Sequence, residues 1–514
     1  MKSKQFSILK FVLILGLVIG TIFSRVPFQA KDFTSFDAIN YTMALSHFDM
    51  RLHQPHPPGY ILYILLGRAF NLAFQDPRLA LLWLSTITSG LAVLAVYLLG
   101  MEMFGRRAGV LAACFLAVLP FFWYYGEISA PYTIDLFFAA LLGWLCYRAL
   151  KLDGEKHVYI CALALGLAGA FRPQTMIFFF PLFLYSVRHR QFKIIFSSSV
   201  LVLITFGLFF IPSVLASGGF KSFIRLMFDI LPLFSSTNNL VRYTRLERFQ
   251  YNAYYILRHT FVAVGELIWP FIALGVLALW KTDKSSRKER IIFLGLMVLP
   301  IWVIYFLIWA GNPGTFLVTL PPFILLTAFG LDWLIDLPHW KTVGWIGLVL
   351  LIIAQIAIFT LLPAEPLGEA YHGLYNNQAV VRQVDYYKDK LAFIREFPIE
   401  GTIVYAREFR HLQYYLPEYS VFTEPKLDPI DPNLVRYVLF VKNGETHWWT
   451  NVDVSTLIPP GIKTIILFDL LLEETLVDQS IAEEKSLKGF SIYVIQAPQN
   501  QSFVWTSNGI SLLP

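Results

Sequence analysis

Charge is what this 514-residue sequence has least of: Asp, Glu, Lys and Arg together supply 15% of it, against about 25% in a soluble globular protein. That deficit excludes an ordinary soluble fold for the chain as a whole, and apolar residues fill the space at 56%. Cysteine is nearly absent too. Cys114, Cys146 and Cys161 all lie in apolar runs, where free cysteine behaves as a small buried hydrophobe. They form neither a disulfide framework nor a zinc pattern. No Gly-rich phosphate fingerprint follows any strand-like run, and no internal repeat or low-complexity tract occurs. A nucleic-acid partner has no support.

What the chain does contain is a series of apolar runs extending to about Leu362, most of them near the roughly 17 to 25 residues a helix needs to cross hydrocarbon. The first, 6–26, follows Lys2 and Lys4. It exceeds the ~7 to 15 residues of a signal-peptide core and is read as an uncleaved anchor. Further spans are expected at 79–103, 108–125, 133–150, 194–215, 256–280, 291–310, 314–334 and 342–362. The stretch 158–187 is interrupted by Phe171-Arg172-Pro173. One continuous helix there would be about 45 Å long at ~1.5 Å per residue and would bury Arg172 mid-bilayer, so two short helices are predicted. The short run 59–74, broken by Arg68, is assigned to the interface. That choice puts Arg106-Arg107, the loop Arg148–Lys156 and the basic stretch Lys281–Arg290 on the cytoplasmic side, as the positive-inside rule requires.

Charge is unevenly divided. Residues 1–362 hold 29 basic and 16 acidic residues, a net of +13, and residues 363–514 hold 12 and 19, a net of −7. The fold class expected is an all-α polytopic membrane domain (1–362, about 11 transmembrane helices) followed by a small α/β soluble domain (363–514). In the tail, helical spacing over 380–397 precedes four β-rich runs, G-T-I-V-Y-A-R-E-F, V-R-Y-V-L-F-V-K, I-K-T-I-I-L-F-D and G-F-S-I-Y-V-I-Q, an alternation that favours an α/β layer.

The candidate active site is the outer loop 27–78. Residues 32–63 gather Asp32, Asp37, Asp49, His47, His53, His56 and Tyr41, and polar groups at a bilayer edge are expensive to keep without a use. In H-P-P-G-Y the two prolines fix φ and remove donors, which holds His56 and Tyr60 where the chain turns back to the membrane. A second outer loop carries Glu127 in G-E-I-S-A-P-Y. A third, about 216–255, breaks the charge rule with Lys221, Arg225, Arg242, Arg245 and Arg248, outward cations that suit an anionic ligand. Each has a plainer reading. Asp37 and Ser35 are good N-cap types for a helix beginning near Ala38, His56 fits a solvated loop, and Arg172-Pro173 fits a kink with a snorkelling arginine.

The order of these features, an N-terminal span, F-D-A-I-N-Y and H-P-P-G-Y in the outer loop, then F-G-R-R-A-G-V-L-A-A between two spans, resembles the C-superfamily glycosyltransferases. It is similar in particular to the protein O-mannosyltransferase and aminoarabinose transferase group, over roughly residues 1–200. The resemblance implies a sugar donor carried on polyprenyl phosphate, used outside the cytoplasm. It makes Asp37 the first-loop acid, with Tyr41 four positions on, and Glu127 the acid of the second loop. His56 stands where the aminoarabinose transferases have a lysine directed at the lipid phosphate, and Arg172 resembles the basic residue at an outer junction of two short helices. Ala38 occupies the place where many members have a second acid.

The expected function is therefore transfer of a sugar from a polyprenyl-phosphate carrier to an acceptor, by inverting displacement. Asp37 and Glu127 are the catalytic candidates; Tyr41, His53, His56, Tyr60, Arg172, Arg242 and Arg245 are the substrate-binding ones. The acceptor is a lipid, a glycan or a protein. No cofactor is required by the pattern, and a divalent metal is left open. A transporter or flippase of lipid-linked sugars is the alternative from another class, and a ligase of lipid-diphosphate-linked glycans keeps the site and changes the substrate. The expected location is a bacterial plasma membrane, with the N-terminus cytoplasmic and the C-terminal domain extracytoplasmic. Reporter tags after Lys284 and after Pro514 are accordingly expected on opposite sides of the membrane, and a cytoplasmic C-terminus in a protease-accessibility assay would overturn the topology.

Overall fold

Many of the helix breaks in this chain fall at proline or glycine. The structure, a computed structural model, describes residues 2–235, 246–308, 312–365, 373–428, 430–470, 472–488 and 490–513. They form two compact units, one of Met1–Lys31 with Tyr41–Val380 and one of Asp32–Asn40 with Val381–Pro514.

The first unit is helical. It begins with α1 (Lys2–Arg25) and includes most of α2 (Phe36–Ser46), then α3 (Ile61–Phe74), α4 (Pro77–Phe104), α5 (Arg106–Val118), α6 (Pro120–Tyr125), α7 (Tyr132–Lys151), α8 (Glu155–Phe171) and α9 (Pro173–Val187). It continues through α10 (Phe192–Ala216), α11 (Phe220–Ser235), α12 (Leu246–Val264), α13 (Trp269–Trp280), α14 (Lys284–Leu296), α15 (Leu299–Leu307), α16 (Leu320–Asp336) and α17 (Lys341–Thr360). Every expected span has an element at its position. Among the described residues, six are long and apolar enough to cross a membrane: Pro77–Phe104, Tyr132–Lys151, Phe192–Ala216, Lys284–Leu307, Pro313–Asp336 and Lys341–Thr360. The other expected crossings are shorter or bent. Leu119, ahead of Pro120, takes the extended conformation that ends α5, because a proline ring disfavours the helical region for the residue before it. At 14 residues, α3 is about 21 Å long, short of the ~30 Å hydrocarbon core.

Two expected segments gain detail. The run expected to span at 256–280 is built from α12 and α13, bent by 79° at Gly265, whose φ of +88° is a conformation glycine enters without the penalty other residues carry. The outer loop at 216–255 holds α11 and the start of α12. Arg242 and Arg245, offered there as anion ligands, lie outside the described residues.

Packing follows the pattern expected where lipid removes the hydrophobic drive between helices and close backbone approach replaces it. Gly275 of α13 and Gly330 of α16 face each other so closely that a Cβ on Gly330 would meet Phe271 O at 2.6 Å. Gly109 of α5 sits on Tyr97 O of α4 in the same way, at 2.8 Å. Large side chains on α10 and α17, Leu208 and Leu350 among them, stay 60% exposed or more, as lipid-facing residues would.

The second unit is a small α/β domain. After α18 (Asn377–Ile394) come β1 (Thr402–Tyr405), α19 (Phe409–Tyr415), β2 (Ser420–Phe422), β3 (Lys426–Leu427), β4 (Leu434–Lys442), β5 (Glu445–Trp449), β6 (Val452–Asp453) and β7 (Thr464–Leu467). The chain ends with α20 (Leu472–Thr475), β8 (Ala482–Leu487), β9 (Phe490–Gln496), β10 (Ser502–Thr506) and β11 (Gly509–Leu513). The four β-rich runs of the sequence are β1, β4, β7 and β9. The sheet runs β3-β4-β2-β1-β7-β9-β8, with β5 and β6 also on β4, while β10 and β11 form a hairpin. β1 pairs in parallel with β2 on one side and with β7 on the other. Alternate residues of β1 serve opposite faces: Ile403 and Tyr405 pack with Phe503 and Trp505, and Val404 with Leu391, Ile394 and Leu412. Burial on both faces is why T-I-V-Y reads as one apolar run rather than an alternating one.

Gly275→Leu is expected to destabilise the membrane unit by at least ~1 to 3 kcal/mol, because the added side chain overpacks a backbone contact. Gly347→Leu, where a Cβ meets nothing within 4 Å, is expected to leave thermal unfolding in detergent unchanged.

Candidate active site

The candidate residues fall into two groups, one in each unit. In the helical unit the turn through H-P-P-G-Y carries cis bonds at Gln54-Pro55 and Pro57-Pro58. Tyr60 then starts α3 with φ +46° and ψ +41°. A left-handed tyrosine stores roughly 1 to 3 kcal/mol of strain, which clusters at functional sites. The result is an aromatic nest. His56 Nε2 and Tyr60 Oη are joined by a 3.2 Å hydrogen bond, and the Tyr41 ring lies 5.4 Å from His56, 5.4 Å from Tyr60 and 5.1 Å from Tyr63. Arg68, which interrupts the apolar run, donates to Leu45 O at 2.8 Å and Ala44 O at 3.1 Å. It thereby satisfies the last carbonyls of α2. His53 closes the turn before it in the left-handed conformation, donating its N–H to Met50 O at 3.2 Å.

Arg172 occupies the break between α8 and α9, as the sequence implied. Pro173 at the first position of α9 forces it extended, φ −143° and ψ 111°, and the two short helices pack on each other and on α7. Its guanidinium is 5.8 Å from the Tyr60 ring and 5.5 Å from that of Tyr132. It is no open phosphate clamp, however: Nη1 donates to Asp135 Oδ2 of α7 in an ion pair whose members are 7% and 3% exposed. With its amide oxygen turned to the guanidinium, Gln174 accepts from Nη2 at 2.7 Å and Nε at 3.0 Å. Asp135 is the residue sequence reasoning missed. Its signal was present, an acid inside the apolar run Y-T-I-D-L-F-F, where ionisable groups are rare and paired. Tyr63, fully buried within electrostatic reach of Asp135, carries a hydroxyl with no hydrogen-bond partner among the described residues.

Glu127 is fully buried, within electrostatic range of Arg25, the last residue of α1, and its carboxyl oxygens have no hydrogen-bond partner among the described residues. Arg25 is itself buried, donates to Ala117 O at 2.7 Å and stands 4.6 Å over the Trp123 ring. A buried acidic residue within range of a cation has a structural reading of its own.

In the second unit, Ser35 Oγ accepts from Ala38 N–H at 3.3 Å and so caps α2. That leaves Asp37 inside the first turn rather than at the cap, half-buried, with its carboxylate in the field of Glu408. The segment around it is clasped to α19: Phe36 stacks edge-on to Phe409 at 5.3 Å, Arg410 Nε donates to Asn40 Oδ1 at 2.7 Å, and Tyr415 Oη donates to Asp32. No group of three or more His, Cys, Asp or Glu residues stands placed to hold a metal ion among the described residues.

Breaking the ion pair from one side leaves a buried charge uncompensated. Asp135→Ala is therefore expected to destabilise the protein by ~3 to 5 kcal/mol, and the double variant Asp135→Ala/Arg172→Met to recover most of it. Equal melting temperatures for Asp135→Ala and the wild type in detergent would refute the pairing.

Residues 55–216 match the family described as dolichyl-phosphate-mannose-protein mannosyltransferase. No curated protein matches the chain. Among solved structures, ArnT from Cupriavidus metallidurans bound to undecaprenyl phosphate is similar at TM-score 0.56 and 12% identity, over 95% of this chain and 99% of that one. AglB, the oligosaccharyltransferase from Archaeoglobus fulgidus in complex with an inhibitory peptide and a dolichol-phosphate, is similar at TM-score 0.50 and 14% identity, over 88% of this chain and 69% of that one. The chain is an integral membrane protein with the fold of the C-superfamily glycosyltransferases.

Proposed function

We propose that this protein transfers a sugar from a polyprenyl-phosphate carrier to an acceptor hydroxyl on the extracytoplasmic side of the membrane, with inversion at the anomeric carbon. The observation that carries the reading is the paired Arg172 at the α8–α9 break, ringed by Tyr60 and Tyr132 and lying inside the segment that matches the mannosyltransferase family. The similar structures of ArnT and AglB hold undecaprenyl phosphate and a dolichol-phosphate, which supports a donor of the same chemistry.

In the step proposed, the acceptor oxygen attacks the anomeric carbon and the carbon–oxygen bond to phosphate breaks. Its electron pair leaves with the phosphate, and the acceptor proton passes to the Asp37 carboxylate. Water then takes that proton. Negative charge grows on the departing phosphate, so donors and cations placed there lower the barrier. His56, the Tyr60 hydroxyl and Arg172 take that role, Arg172 by exchanging part of its hydrogen bonding from Asp135 and Gln174 to phosphate oxygens, for which the guanidinium fork is well shaped. Glu127 stays a catalytic proposal with a structural competitor in Arg25. Transfer of a whole glycan from a lipid diphosphate is the second reading, favoured by the likeness to an oligosaccharyltransferase.

Asp37→Asn is expected to reduce transfer by about 10²- to 10⁴-fold, the usual contribution of a positioned base. The folding effect should stay small, since removing an acid from a first helical turn typically costs about 0.3 to 1 kcal/mol. Near-normal turnover of a radiolabelled polyprenyl phosphosugar in membranes carrying the variant would sink the catalytic assignment and move the transporter alternative ahead.

A further inference from the structure

Between Thr342 and Thr360, α17 carries a single amide, hydroxyl or charged side chain, that of Gln355. It is 2% exposed, and its Nε2 has no hydrogen-bond partner among the described residues. Amides within membrane helices ordinarily bond to a neighbouring helix, and a buried donor left unmet keeps its full desolvation penalty.

Gln355 lines a cavity where α12 bends into α13, a space of about 380 Å³ free of protein atoms and partly open. Leu119 and Phe121 close it at the α5–α6 break, Val262 and Gly265 at the bend, Ile358 on α17 and Tyr375 in the segment beyond. Gly265 keeps its floor clear: a Cβ there would stand 3.4 Å from Leu119 Cδ1 and 3.6 Å from Gln355 Nε2. The aromatic wall is held in place, with Tyr375 edge-on to Phe121 at 4.7 Å and to Tyr124 at 5.3 Å. Glu266 is the one charged residue of the lining.

We propose that this cavity holds the upper chain of an acyl-ester lipid, whose carbonyl oxygen accepts the hydrogen bond that Gln355 Nε2 lacks. It is a resident lipid, not a substrate of the transfer. The unmet group is a donor, so the ligand brings an acceptor oxygen, and the apolar walls call for methylene groups beside that oxygen. Glu266 disfavours a phosphate at this place, which makes the acceptor a neutral one. A polyprenyl phosphate does not meet that requirement, because its chain carries no oxygen below the phosphate. The depth agrees. Turned 79° from α13, α12 takes the course of an interfacial helix beside one entering the hydrocarbon. The bend then sits where hydrocarbon meets the headgroup layer, the level of glycerolipid ester carbonyls.

The test uses the full-length protein, delipidated in detergent and titrated with palmitoyl-oleoyl phosphatidylethanolamine or with its dialkyl-ether analogue, which lacks both carbonyls. Native mass spectrometry reads the lipid retained. The wild type is expected to bind one ester lipid about 2- to 10-fold more tightly than the ether, the ordinary worth of one net hydrogen bond. Gln355→Leu, similar in size and without the donor, should bind both lipids alike, at the wild type's affinity for the ether. Ile358→Trp, which fills the space, should lose the retained lipid of either kind. The wild-type comparison needs no variant to fold: equal affinity for ester and ether overturns the inference. An ester preference that survives Gln355→Leu overturns it as well. So does one-for-one displacement of the ester lipid by undecaprenyl phosphate, which would assign the cavity to the chain of the sugar donor.

Discussion

A cation in an apolar surrounding must have a counter-charge, and the break between α8 and α9 is organised by that requirement. Arg172 cannot be left alone at 7% exposure, since a lone buried charge carries a penalty of several kcal/mol. Asp135 supplies the opposite charge from α7, and Tyr60 and Tyr132 offer their ring faces. Pro173 contributes first, because the extended residue it imposes turns the guanidinium out of the helical ladder. The strained start of α3 brings Tyr60 into the same group, so two local backbone distortions more than 100 residues apart end on one cation.

Neutralising that arginine has a chemical side. An open cation would attract any phosphate, lipid headgroups included. Arg172 is already engaged by Asp135 and Gln174, so in the proposed reaction a phosphate would have to return comparable hydrogen bonding, which bidentate oxygens do best.

Much of this was legible in the chain. Apolar runs located the helices, the R-P step located the break, and four unbroken β-rich runs located the strands of a sheet buried on both faces. Ser35 and Asp37 could not be separated as caps by residue type, because both suit the position; the hydrogen bond from Ala38 decides it. The 79° bend at Gly265 was hidden because apolar composition does not report direction, only length. Asp135 was overlooked because one acid barely lowers the hydropathy of its run. Arg25 was out of reach for a different reason: its electrostatic partner Glu127 lies 102 positions away, and linear spacing carries no information on such pairs.

The clasp of residues 32–40 onto α19 sets an order of events in the life of the chain. Arg410 and Asn40 are separated by 370 residues, and a ribosome adding roughly 5 to 20 residues per second needs on the order of half a minute to produce the second after the first. During that interval α1 and the helices after it can enter the bilayer while the segment bearing Asp37 waits without its docking surface. Its docking closes one of the longest loops the molecule possesses, which makes it a late step on topological grounds. The segment bearing Asp37 thus acquires its partners on α19 only once the last domain has been made, so an unfinished chain emerges with that segment undocked.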